Sequence, residues 1–179
     1  MTSLAKLSLF IVLLLVIACQ KKSLVEIIPY NGPLIDVDSV ETLYSDSAIL
    51  RVRLRAPKEF EFQNGNREFP KGVDIEFFDN HGVKSSTLVA NTGYYDKERD
   101  IYTVRGDVKI NSMLESKKMN TEELHWNPHL DKIYTDTNVF ARIETPDEIL
   151  TGRGLVTNQQ FTKYKFKDPE GVFTVHETP

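Results

Sequence analysis

His125 and His129 stand four residues apart, the spacing at which two imidazoles on one helix face hold a zinc ion. Zinc hydrolysis also needs a glutamate beside the first histidine and a helix beneath both. Here Trp126 takes the glutamate's place and Pro128 bars the helix, so the pair reads as surface residues of a turn. Cys19 is the only cysteine, which leaves no thiolate cluster. Gly152-Arg153-Gly154 is too short to cradle phosphate and lies between strand-like runs, not ahead of a helix. Glu122-Glu123, and Asp96 with Asp100, offer paired carboxylates, but solvated turn charges account for them better. No Gly-x-Ser-x-Gly elbow occurs. The reactive residue types thus point to no enzyme, no metal and no cofactor. A net charge of −4 argues against a nucleic-acid binder, which needs a basic face.

The elements that carry these residues repeat. Leu88, Met119 and Leu150 lie 31 apart, as do Ala90, Thr121 and Gly152; Val108 and Val139 keep the same offset. Ile101-Tyr102-Thr103 recurs 32 residues on as Ile133-Tyr134-Thr135, and the Gly106-Asp107 break between copies suggests a bulge that shifts the offset. Such a period marks stacked units that cannot bury their apolar face alone, and each unit reads as a β-hairpin. Ala48, Leu50, Val52 and Leu54 alternate with Arg51, Arg53 and Arg55, giving an apolar and a cationic face. Val73, Ile75 and Phe77 alternate with Asp74 and Glu76. Asn64-Gly65, Asp79-Asn80-His81-Gly82 and Asn127-Pro128 are turn signals. No helical period follows Tyr44, so the chain is predicted all-β: a sandwich, a jelly roll or an open barrel.

The amino terminus is different. Leu7 to Ala18 is an apolar run broken only by Ser8, shorter than the roughly 20 residues a membrane-spanning helix needs. It suits the apolar core of a signal peptide. Val16-Ile17-Ala18-Cys19 resembles the bacterial lipobox, in which the cysteine is acylated and becomes the first residue. The expected organisation is a signal peptide over 1–18, a lipidated tether over 19–35 containing Asn31-Gly32-Pro33, and a β domain over 36–179. Lys21 and Lys22 follow the cysteine with no acidic cluster, which by resemblance to lipoprotein sorting signals disfavours onward export.

Several motifs then fall in order: Phe78-Asp79-Asn80-x-Gly82, Ala90-x-x-Gly93-x-Tyr95-Asp96, Gly106-Asp107-Val108, Leu124-x-Trp126, Ile133-x-Thr135 and Leu150-x-Gly152-x-Gly154-Leu155. Their order and spacing over residues 36–175 resemble the LptC family and the related OstA-like β repeat. The resemblance implies a twisted, open antiparallel β-jelly roll built from hairpins. It also implies a non-enzymatic carrier of lipopolysaccharide on the periplasmic face of the inner membrane. In that role an ABC transporter supplies the lipid, an apolar cleft receives the acyl chains, and a soluble β-jelly-roll partner docked edge to edge takes them on. The chain departs from the family's usual pattern in carrying Cys19 as a lipid anchor where a transmembrane helix is commonest.

Alternation places Leu50, Val52, Leu54, Val73, Ile75, Phe77, Leu88, Val104, Val108, Ile110, Met119, Ile133, Val139 and Ile143 inward, either as cleft lining or as closed core. Partner edges are expected at Ser47–Arg55, toward the transporter, and at Phe161–Val175, toward the next jelly roll. Two other readings compete: a structural or adhesive β-repeat lipoprotein with no ligand, and a hydrolase with an unrecognised polar pocket.

Overall fold

A computed structural model describes residues 30–114, 116–130 and 132–170. Twelve strands form one antiparallel sheet: β1 Ile35–Asp46, β2 Ile49–Glu61, β3 Arg67–Phe69, β4 Val73–Phe78, β5 Lys84–Ala90, β6 Thr92–Asp96, β7 Ile101–Ser112, β8 Lys117–Asn127, β9 Lys132–Tyr134, β10 Phe140–Glu144, β11 Ile149–Asn158 and β12 Tyr164–Glu170. The all-β expectation holds, and the chain runs back and forth as successive hairpins. No helix of the described residues is long and apolar enough to cross a membrane.

Each long run is broken near its middle. β2 pairs with β4 through Val52–Arg55 and with β3 through Phe60–Glu61, with Pro57 between. β5 and β6 both pair with β7, parting at Asn91, and β9 and β10 both lie between β8 and β11. The breaks line up. Ser39 of β1, left-handed at φ 59°, sits across from Pro57, and Asn91 N–H donates to Gly106 C=O at 3.0 Å. Gly154, also left-handed, donates to Val139 C=O. Gly106 and Asp107 form the expected bulge, since the register with β8 jumps from Arg105↔Glu123 to Val108↔Thr121. A glycine suits φ 78° there because no Cβ meets the backbone.

The aligned breaks crease the sheet into two halves that face each other. One half is aliphatic: Leu54, Ile75, Leu88, Ile110, Met119, Ile143 and Leu150 are cross-strand partners in one unbroken row. The other is aromatic: Arg67, Tyr95, Tyr102, Trp126, Ile133, Thr157 and Tyr164 form a second row. Phe77 from the aliphatic half meets Trp126 edge-on at 5.8 Å across the gap. The 31-residue period thus has a physical meaning. Leu88, Met119 and Leu150 occupy one row at every second strand, and Tyr102, Ile133 and Tyr164 do the same in the other half. The 32-residue match is an alignment of like strings: register pairs Trp126 with both Tyr102 and Ile133, so the period is 31 on both sides of the bulge.

Among the described residues no pairing joins the first run to the last, so the roll is open and β1 and β12 are its edges. This corrects the expected first edge. Ser47–Arg55 belongs largely to β2, which is paired on one side by β1 and on the other by β3 and β4. Its arginines are not a bare cationic face either: Arg53 Nη1 donates to Glu76 Oε2 at 2.8 Å, and Arg55 Nε to Glu41 Oε1 at 3.1 Å. Ser47 and Ala48, both left-handed, make the two-residue turn between Asp46 and Ile49. The second edge lies where expected, although residues 171–175 of it fall outside the described residues.

Candidate functional site

Among the described residues, the strands direct apolar side chains from both sides into the space between the halves. Val52, Leu54, Val73, Ile75, Phe77, Leu88, Val104, Val108, Ile110, Met119, Ile133 and Ile143 are all buried in a single cluster. Leu50 and Val139 are only half-buried, Leu50 near the start of β2 and Val139 in the break between β9 and β10. Cys19 lies outside the described residues. The cluster also includes Phe69, Leu124, Trp126, Ala141, Leu155 and Phe161. Leu124, Trp126 and Ala141 were open to alternation; Phe161 sits in a turn, where alternation has no force.

The interior is closed. Val108, Ile133, Ala141 and Leu155 expose no surface at all. A small cavity, about 20 Å³, lies at the rim opposite the crease. Ile110, Met119 and Ile143 wall it from the aliphatic half, Thr157, Phe161 and Tyr164 from the other, and Ser112 and Lys117 stand at its edge. That volume admits one water, not a hydrocarbon tail. A larger groove of about 750 Å³ follows the crease beside β1, but Glu41, Arg55, Lys71 and Asp74 share its lining with Ala56 and Val73.

Polar groups hold the aromatic half in place. The Arg67 guanidinium lies 4.5 Å from the Tyr95 ring centre, and its Nη2 donates to Tyr102 Oη at 3.0 Å. Tyr95 donates its hydroxyl to Asp100 at 2.7 Å; burial and that carboxylate push its pKa up to about 12. Burial also raises the Glu59 carboxyl, and nearby Arg67 only partly offsets it. On the outer face the balance reverses at Glu76. Burial works to raise its pKa, but hydrogen bonds and charge from Lys84 and Arg53 outweigh it and hold the carboxyl below its ordinary value.

His125 and His129 do not form a site together. His125 belongs to β8 and is half-buried, correcting its placement in a turn; His129 is exposed and pairs with Asp100 at 2.6 Å. His125 instead meets Glu123 and Asp136, whose oxygens lie 3.1 and 3.5 Å from Nε2. Thr103 Oγ1 engages the other ring nitrogen at 2.9 Å, and Arg105 engages the second Glu123 oxygen. These three side chains could each offer a metal one atom, the atoms all lying within 4.8 Å of one another. As they stand, Arg105 already pairs with the Glu123 carboxylate.

The described residues thus form an open, creased β roll with an apolar seam between its halves and an unpaired edge at each end. The chain belongs to the LptC-related lipopolysaccharide-assembly family, whose model matches residues 10–168. No curated relative matches it. Membership places it in lipopolysaccharide transport, in a family of periplasmic, inner-membrane-associated components that is not a known enzyme family.

Proposed function

We propose that the protein carries lipopolysaccharide by taking its acyl chains between the aliphatic and aromatic halves, while the sugar and phosphate head stays in water. An inner-membrane ABC transporter loads it, and a soluble β-jelly roll docked at an edge unloads it. Acylated Cys19 holds the domain, from about residue 36 onward, to the inner membrane beyond a short tether.

The observation that carries this reading is the seam itself. The halves share covalent strands and ladder hydrogen bonds at the crease, whereas the facing rows meet side chain to side chain. Opening the roll therefore breaks no backbone ladder, and a hydrocarbon chain re-covers the apolar surface that parting exposes, at about 25 cal/mol per Å². A photo-cross-linker at Phe77 is expected to capture lipopolysaccharide in cells; capture of neighbouring protein alone contradicts the carrier role. Cys19→Ala is expected to abolish lipid labelling and leave an unprocessed precursor, and normal maturation of that variant refutes the anchor.

The packed interior favours one second reading, a docking scaffold in the same assembly that holds no lipid itself. It predicts that no interior position ever cross-links lipid, although depletion still disturbs outer-membrane lipopolysaccharide.

A further inference from the structure

β11 and β12 are joined by a turn whose third residue is Phe161, left-handed at φ 56°. Turns of this kind usually place glycine at the left-handed position, because a bulky side chain there crowds its own backbone. Phe161 nonetheless directs its ring inward, 94% buried as the complement of its 6% exposure, edge-on to Phe77 at 5.9 Å and against the rim cavity. One side chain pins the turn. Asn158 Oδ1 accepts the N–H groups of Thr162 and Lys163 at 2.9 and 3.1 Å, and its Nδ2 donates to Gln160 and Thr162. Around it, buried polar groups lack partners: Ser112 Oγ in the cavity wall and Gln159 Nε2 beside Phe161 in the turn. Lys117, cross-strand partner of Ser112, holds its ammonium 4.8 Å from the Tyr164 ring centre at the cavity mouth.

We infer that Phe161 is a removable plug in a site for one hydrocarbon chain, with Lys117 and the Ser112 hydroxyl receiving an anionic group at the chain's end. When the turn swings out, the backbone relaxes and the ring's place joins the existing cavity. The enlarged space is walled by Phe77, Ile110, Met119 and Ile143, which suits a methylene chain. An inward lysine beside an otherwise unpartnered hydroxyl suits a phosphate or carboxylate. This deepens the carrier reading and rests on it for the physiological lipid.

The test titrates the full chain with decyl phosphate and with uncharged decyl glucoside, both below micelle formation. Trp126, the chain's single tryptophan and in contact with Phe77, reports binding by its fluorescence. Phe161→Gly removes the ring and relieves the turn, and Asn158→Ala frees the turn with the ring intact. Both should tighten apparent binding of both probes about tenfold, by raising the open fraction. Lys117→Gln should weaken decyl phosphate about fivefold and leave decyl glucoside unchanged. Unchanged affinity in both turn variants, or equal loss of both probes in Lys117→Gln, overturns the proposal. Lipopolysaccharide capture at Phe77 without these effects leaves the carrier reading standing and this site refuted. Probe binding as expected, with no capture at Phe77, does the reverse.

Discussion

The crease beside β1 and the rim beside β12 are both gaps between the same two half-sheets, yet they are built from opposite materials. The crease groove is wide, lies over backbone breaks at Ser39, Pro57 and Gly72, and carries Glu41, Arg55, Lys71 and Asp74. The rim cavity is narrow, lined mainly by apolar side chains, and stopped by an aromatic ring on a strained turn. The flanking edges differ as well. β1 holds Asp36, Asp38, Glu41 and Asp46 and no basic residue, whereas the turn and strand ahead of Pro169 hold Lys163, Lys165 and Lys167. In the proposed transport the crease keeps its backbone ladders and the rim opens to give access to the interior. Where a roll keeps its backbone bonds, it can place charge; where it must part, it keeps only side-chain contact.

The largest effect separates the interior from the first edge. Leu88→Ala, buried within the aliphatic row, is expected to lower unfolding free energy by about 2–5 kcal/mol in denaturant titration. Leu43→Ala on β1, where the side chain is 56% exposed, should change it by less than about 0.5 kcal/mol. A similar loss at both sites would mean that β1 is part of the core.

A smaller effect concerns the second edge. Asn158 N–H donates to Lys163 C=O, so by alternation along the ladder the Phe166 N–H faces away from β11. Phe166→Pro removes an outward donor and should weaken partner docking by roughly 2- to 10-fold, the worth of one backbone hydrogen bond. Unchanged co-purification excludes β12 as the joint. The phenyl ring also packs over Gly152, whose added Cβ would lie 2.8 Å from it; stability of the variant must therefore be measured alongside.

The smallest effects are in pH dependence, and they have opposite signs. Glu76 titrates below its ordinary value when folded, so its contribution is complete above the unfolded pKa and disappears as pH falls through the folded one. Glu76→Gln should flatten the loss of stability on the acid side. Glu59 titrates above its ordinary value, so a penalty on folding builds as pH rises past the unfolded pKa and is complete above the folded one. Glu59→Gln should therefore be relatively more stable at neutral pH than in acid. Denaturation midpoints of both variants across the acid range check the two signs.

Much of this contrast is legible in the residues. The aliphatic row follows from alternation in β2, β4 and β5, and the 31-residue period already joins Leu88, Met119 and Leu150. What stays hidden has physical causes. β1 has no buried face, so no alternation betrays it, and β2, with the cleanest alternation, reads as the edge that β1 in fact occupies. The arginines of β2 answer carboxylates from β1 and β4, a pairing that only register reveals. Leu124 and Trp126 follow the bulge opposite Gly106-Asp107, which disturbs their period. Phe161 occupies a position where turn chemistry favours glycine, so nothing local announces that its ring fills the interior.

The proposed transport requires the seam to open to acyl chains. The most direct test is a pair of photo-cross-linkers on the aliphatic half, at Val108, which has no exposed surface, and at outward-facing Val89, which is 41% exposed. Illumination in cells should yield a lipopolysaccharide adduct at Val108 and none at Val89. Adducts at Val89 alone, or at neither position while transport proceeds, would contradict an opening seam.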